Sequence, residues 1–287
     1  MFEFQIPYKE NYFHAYGINH ELKKPAIYFS HANGFNGLAY KTLLNKISTN
    51  QKIISYDLRG HGKSTVPAEP EKLKSWRRYS DDLISILEKK NEPSILIGHS
   101  LGGTTSLLVA LKRPELVSKI ILIDPVLLPL TYWLGTKAIQ SIGLIEKIHP
   151  MVRGALIRKK NWTSKEEAFK YFSGKKLFRN IIPEAINDYI DGGIKKVDEN
   201  LFELNCDPRW EAATFKLTSG GNWFNLKKSN VPTKVILTPN SFVCSENSQK
   251  KLRQNIAQIE FVTLENTTHM LPLEDIDGVG NEILSFL

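Results

Sequence analysis

Short runs of apolar and β-branched residues recur at Phe2–Ile6, Tyr12–Tyr16, Ala26–Ser30, Lys52–Asp57, Ser94–Gly98 and Lys119–Asp124. Between the later runs the apolar positions change to helical spacing. This predicts helices over Leu38–Ser48, Leu73–Lys89 and Leu101–Arg113, the last stopped by Pro114. Alternation of this kind predicts an α/β fold with a mostly parallel central sheet flanked by helices on both faces. After Asp124-Pro125 the rhythm breaks. From Leu127 to Lys228 the pattern is mostly helical with Gly and Pro interruptions, and it holds four of the five tryptophans, Trp133, Trp162, Trp210 and Trp223. That stretch reads as a helical lid inserted after the sixth strand. Strand signals return at Thr233–Thr238 and Glu260–Leu264, with a closing helix after Pro272. The expected organisation is a core in two parts, residues 1–126 and 229–287, carrying a lid over 127–228.

Composition narrows the class. At 287 residues, 41% hydrophobic and 24% charged, the chain has the proportions of a soluble globular protein able to bury a large core. The first residues lack a basic start followed by an apolar stretch, and no run approaches a membrane span, so a cytoplasmic protein without integral membrane association is expected. Cys206 and Cys244 are far apart and have no histidine at metal spacing, which predicts reduced thiols and no zinc site. The net charge of +8 comes mostly as scattered pairs such as Lys23-Lys24, Lys159-Lys160, Lys175-Lys176 and Lys227-Lys228. Between Leu127 and Lys228 there are 17 Lys and Arg against 11 Asp and Glu, so +6 of the excess lies in the lid. Pairs like these usually form solvated faces; a weak attraction to anionic substrates or lipid surfaces is the alternative, and no nucleic-acid motif accompanies them.

The chemistry concentrates at Gly98-His-Ser-Leu-Gly102, which follows an apolar run and opens a helix-forming segment. A strand-to-helix turn this tight holds a serine in strained geometry with its hydroxyl above the sheet, and glycine is needed where a side chain would collide. Ser100 is therefore the candidate nucleophile. The helix beginning at Leu101 aims free N–H groups and its positive dipole end at the same place. After the third strand comes Ser30-His-Ala-Asn-Gly-Phe-Asn-Gly37, whose glycines allow the backbone to turn an N–H toward the serine. Asn33 is the expected donor, paired with the N–H of Leu101 as an oxyanion hole; the alternatives are a plain turn or a neighbouring amide of the same loop.

With Tyr56-Asp-Leu-Arg-Gly-His-Gly-Lys-Ser64 added, the chain resembles the α/β-hydrolase superfamily, particularly its lidded serine esterases. The resemblance runs through Ser30–Gly37, Asp57–Ser64, Gly98–Gly103 and His269–Glu274, and covers the core better than the lid. It implies that Asp57, Arg59, His61 and Gly62 are mainly structural. It also implies that His269, after the last strand, is the base a serine hydroxyl needs before it can attack. His14, His20 and His149 read as ordinary surface or core residues, and His99, inside the elbow, as a packing residue. Many relatives carry the orienting acid just after the strand that follows the lid. Here that loop reads Leu237-Thr-Pro-Asn-Ser-Phe-Val-Cys244 and has no carboxylate, with Asn240 or Ser241 at the aligned position. Asp124, at the end of the strand before the lid, is the expected substitute, since some relatives, haloalkane dehalogenases included, take the acid from that strand. The competing reading is that Asp124 merely caps the lid entrance, while Asp275 and Asp277 are expected to cap the last helix.

A serine, a histidine and two oxyanion donors point to acyl transfer on a small-molecule ester, with a carboxylesterase of short to medium acyl chains as the leading expectation. This acyl-transfer chemistry implies no metal or organic cofactor. Other serine hydrolases of the fold (thioesterase, lactonase, lipase, carbon–carbon bond hydrolase) are the alternatives, followed by a non-catalytic binding protein.

Overall fold

The computed structural model describes residues 1–22, 26–48, 50–90, 92–217, 223, 226 and 228–287. Lys23, Lys24 and Lys227, named above for their charge, lie outside the described residues. The core opens with an antiparallel hairpin, β1 (Phe2–Tyr8) and β2 (Asn11–Ile18), whose first strand alternates exposed and half-buried residues as an edge strand should. Then follow β3 (Ile27–Ser30), α1 (Lys41–Ile47), β4 (Ile53–Tyr56), α2 (Arg77–Leu87), β5 (Ser94–His99), α3 (Leu101–Lys112) and β6 (Val117–Ile123). The helix expected from Leu73 starts at Arg77. The Trp76 indole N–H donates to Thr214 C=O in the lid (2.9 Å), anchoring the chain just before the first turn.

The insertion after β6 carries α4 (Leu130–Ser141), α5 (Ile145–Ile148), α6 (Pro150–Leu156), β7 (Asn161–Trp162), α7 (Lys165–Ser173), α8 (Pro183–Gly193), β8 (Ile194–Asp198), β9 (Leu201–Leu204) and α9 (Pro208–Leu217). It is helical as expected but also contains a three-stranded antiparallel sheet, ordered β7-β9-β8. These strands are two to five residues long and mostly exposed, so they lack the apolar runs that mark core strands. The core closes with β10 (Thr233–Leu237), α10 (Glu246–Asn255), β11 (Ile259–Thr263), α11 (Leu271–Glu274) and α12 (Ile276–Leu284). The polar α10, with only Ser248 and Leu252 buried, is a helix that the apolar pattern did not predict.

The main sheet has eight strands in the order β1-β2-β4-β3-β5-β6-β10-β11, parallel from β4 onward. Strands β3 to β6 and β10 are buried along almost their whole length, which is why they read as continuous apolar runs. Successive residues serve opposite faces: Tyr28 and Leu96 pack with α2 and α3, whereas Ile27, Phe29 and Ile97 pack with α1 and α12. Strand order reverses beside β3, with β4 on one side and β5 on the other. The carboxyl ends of β3, β5 and β6 therefore open a crevice where ligands of such sheets collect. Among the described residues no helix is long and apolar enough to cross a membrane.

Candidate active site

Ser100 sits between β5 and α3 with φ 57° and ψ −116°, a conformation an L residue adopts only when its surroundings enforce it. The two glycines of the motif explain how. A Cβ on Gly98 would lie 2.2 Å from Gly102 C=O oxygen, and one on Gly102 would lie 1.9 Å from Ser30 C=O oxygen. Neither position has room for any side chain. The turn is further pinned by Ser100 N–H donating to Ile123 C=O (2.9 Å) on the neighbouring strand.

Asp124, the residue after β6, is also left-handed, at φ 39°, and its side chain is fully buried. His269 lies between β11 and α11, with its side chain about one-fifth exposed. Its Nδ1 is 2.6 Å from Asp124 Oδ2 and its Nε2 is 3.0 Å from Ser100 Oγ. A carboxylate can only accept, so the ring proton belongs on Nδ1 and Nε2 is left as the acceptor for the serine hydroxyl. The structure thus brings the three residues together in one chain of hydrogen bonds. Asn240 and Ser241 take no part in it: Asn240 is a left-handed turn residue (φ 53°) and Ser241 Oγ accepts from Cys244 N–H (3.0 Å). Asp275 caps α12 through Gly278 N–H (2.8 Å), whereas Asp277, expected to cap as well, pairs with Lys46 instead (2.5 Å).

Four backbone amides of the loop after β3 are engaged within the fold. Ala32 N–H donates to Tyr40 Oη (3.2 Å), Gly34 N–H to His61 Nε2 (3.0 Å), Phe35 N–H to Ala32 C=O (3.1 Å) and Gly37 N–H to Asp57 Oδ1 (2.7 Å). The Asn33 N–H has no partner among the described residues, and the residue is half-buried. Leu101 opens α3, so its N–H has no carbonyl one turn back. Both expected donors therefore have an N–H not engaged by the fold.

The supporting residues are buried. Asp57 also accepts from Lys63 N–H (2.8 Å), and Arg59 makes a two-pronged pair with Asp82 (2.8 and 2.6 Å). His31 donates from Nδ1 to Ala32 C=O (2.7 Å) and accepts at Nε2 from Leu58 N–H (2.9 Å). Burial holds His31 well below the usual histidine range and pushes His61 down to about 4, so both are fixed as neutral struts. His149 caps α6, and His14 faces Glu3 at 2.8 Å.

Two groups of residues escaped the sequence reading. His99 is more than packing: Nε2–H donates to His269 C=O (2.7 Å) and Nδ1 accepts from Tyr40 O–H (2.7 Å). Its place next to Ser100 in the elbow was the available signal. From the lid, Arg158 pairs with Glu211 (2.5 Å) and donates to Tyr189 Oη (2.6 Å). Tyr189 O–H donates to Gly34 C=O (3.3 Å) and Asn33 Nδ2 donates to Glu211 C=O (3.2 Å), so this cluster sits on the loop that carries Asn33. Nothing in sequence spacing links residues this far apart. No cluster of His, Cys, Asp and Glu suited to a metal ion occurs among the described residues.

Residues 25–143 match the family described as alpha/beta hydrolase fold, in agreement with the sheet order and the elbow. The chain has the α/β-hydrolase fold, and the family match spans its core from before β3 into the start of the insertion. It is 24% identical over 274 residues to the sn-1-specific diacylglycerol lipase ABHD11 of Mus musculus, covering 92% of this chain and 81% of that one. Two solved structures superpose with a TM-score of 0.80, namely E-2-(acetamidomethylene)succinate hydrolase and the thioesterase domain from the curacin biosynthetic pathway. The first is 20% identical and covers 99% of this chain and 98% of its own; the second is 16% identical and covers 99% of each. At that identity the two structures speak for the fold.

Proposed function

We propose that the protein is a serine hydrolase that cleaves an ester bond through an acyl-enzyme on Ser100, with residues 127–228 as the lid over the core. The observation that carries the reading is the continuous link from Ser100 Oγ to His269 Nε2 (3.0 Å) and from His269 Nδ1 to Asp124 Oδ2 (2.6 Å). His269 takes the hydroxyl proton as Ser100 Oγ attacks the acyl carbon. The imidazolium that forms is stabilised by the buried Asp124 carboxylate, and the N–H groups of Asn33 and Leu101 receive the developing oxyanion. His269 then returns the proton to the leaving alcohol. Water, deprotonated by the same Nε2, releases the acid and restores the serine.

The expectation of a short to medium acyl carboxylesterase is narrower than the likenesses support. They include proteins described as a diacylglycerol lipase and a thioesterase, which favours the broader reading of an acyl hydrolase with its leaving group open. The missing acid after the lid is the one feature that favours a non-catalytic binding protein; the 2.6 Å contact of Asp124 Oδ2 with His269 Nδ1 supports the catalytic reading instead. The test is labelling with a fluorophosphonate, wild type against Ser100→Ala, with turnover of a panel of p-nitrophenyl esters, acyl thioesters and lactones. Stoichiometric labelling lost in Ser100→Ala, with turnover of at least one class, is expected. Folded wild-type protein that neither labels nor turns over any of them overturns the proposal.

A further inference from the structure

Helix α4 turns its apolar face outward. Leu130, Leu134, Ala138 and Ile142, spaced four apart along α4 and its C-terminal cap, form one stripe, and all four are exposed, Ile142 by 66%. The one buried residue of α4 is a threonine, Thr136. An amphipathic helix of a soluble protein ordinarily does the reverse. The stripe has company: of the 14 large hydrophobic residues exposed in the structure, eight fall between Leu130 and Ile157, with Tyr132, Leu144, Ile148, Met151 and Ile157 completing the set. Single exposed apolar residues are normal, but a concentration of this kind in one-tenth of the chain marks an interaction surface.

The surface adjoins the site. Leu127 N–H donates to Val243 C=O (2.7 Å), tying the start of the lid to the loop of Phe242. Phe242 is 73% exposed, and its ring centre is 6.0 Å from that of His269. The charge along the same stretch of sequence is one-sided. From Leu130 to Lys160 there are six Lys and Arg and one acidic residue, Glu146. Lys147, Arg153 and Lys160 are exposed and stand in no ion pair among the described residues.

We propose that this face of the lid docks on an anionic lipid surface, the α4 stripe and Phe242 entering the apolar layer while Lys147, Arg153 and Lys160 meet the headgroups. An exposed apolar stripe in a cation-rich stretch of the chain fits such an interface. A second copy of the chain fits poorly, because two faces carrying the same excess of positive charge would repel. Docking would present the mouth of the site to lipid, yet the inference does not depend on what the site catalyses.

The experiment is co-sedimentation of the full chain with vesicles of phosphatidylcholine alone and of phosphatidylcholine mixed with phosphatidylglycerol, at low and high salt. Binding to the mixed vesicles that weakens with salt is expected, reduced about tenfold or more in Leu134→Asp and in Ile142→Asp. Both side chains are over half exposed, at 52% and 66%, so both variants should fold, which circular dichroism checks; Lys147→Gln with Arg153→Gln supplies a second, charge-only reading. Ser100→Ala should bind like wild type, which separates failure of docking from failure of the proposed chemistry. Absence of binding, binding indifferent to phosphatidylglycerol, or binding retained in the Asp variants overturns the proposal. So does a dimer in sedimentation velocity that Leu134→Asp disperses.

Discussion

His99 holds His269 by its main chain, donating from Nε2 to the carbonyl oxygen at 2.7 Å while the two rings lie 5.1 Å apart. The other ring nitrogen accepts from Tyr40 O–H, and Tyr40 Oη accepts from Ala32 N–H, next to Asn33. Two buried side chains therefore fix the spacing between the loop of His269 and the loop of Asn33. Burial and the neighbouring His269 keep His99 well below the ordinary histidine range, so it stays neutral and its donor and acceptor roles do not change with pH.

Replacing His99 by leucine leaves the His269 carbonyl and the Tyr40 hydroxyl without partners and frees both loops. The expected result is a fall in kcat of about ten- to a hundredfold with KM little changed, the size expected for a small misplacement of reacting groups. A residue that only fills space would lower the melting temperature and leave kcat unchanged at temperatures where the protein is fully folded.

Asp124→Asn should keep the fold and lower kcat by about 10³- to 10⁴-fold. The amide can present its NH₂ to His269 Nδ1, which then becomes the acceptor and leaves the proton on Nε2, where it blocks removal of the Ser100 proton. Pre-steady-state acylation measured with a p-nitrophenyl ester checks this. Acylation within tenfold of wild type would assign the acid elsewhere.

The Arg158–Glu211 pair is mostly buried, its side chains 15% and 10% exposed, and it braces the loop of Asn33 from the lid. Arg158→Met leaves the Glu211 carboxylate without its countercharge and should cost about 3 kcal/mol in urea unfolding. The double change Arg158→Met with Glu211→Gln should recover much of that stability. Activity should fall in the single variant by more than stability alone explains, since Tyr189 and Glu211 both touch Asn33 or Gly34.

Stability should decline below about pH 6.5. Burial depresses His31, His61 and His99, so each contributes stability above the unfolded value of 6.5 that is lost as pH falls. Asp57 acts in the opposite sense. Burial raises it from 3.8 to about 7 against its backbone hydrogen bonds, so its contribution is present at low pH and lost as pH rises through 7. Between about pH 4 and pH 6.5 each of these histidines contributes a slope of up to about 1.4 kcal/mol per pH unit and Asp57 the same in the opposite sense, while His14 and His149, also lowered by burial, add to the histidine side. Urea midpoints at pH 7.5 and pH 5 check the direction, and His61→Phe should flatten the slope.

The parallel core was legible because its strands are buried on both faces and read as apolar runs, and the elbow because Gly98 and Gly102 meet backbone that no side chain could share. His269 and Asp124 could be named because the resemblance to a known family implies a base after the last strand and, as in some relatives, an acid at the end of the strand before the lid. Less was legible in the lid: β7, β8 and β9 are short, exposed pairings that form only once Trp162 and Ile194 find burial against other elements.

By itself the sequence determined the periodicities, hence the sheet and helices of the core, and the residue types able to attack, take up a proton and orient the base. Tertiary structure alone decided the links that join distant segments. Among them are Asp124 within 2.6 Å of His269, the path from Ala32 through Tyr40 to His99, the Arg158 cluster over Gly34, and the outward apolar face of α4. The physical reason is range. Strand and helix patterns arise from neighbours a few residues apart, whereas hydrogen-bond partners and buried charges are chosen by packing across the whole chain.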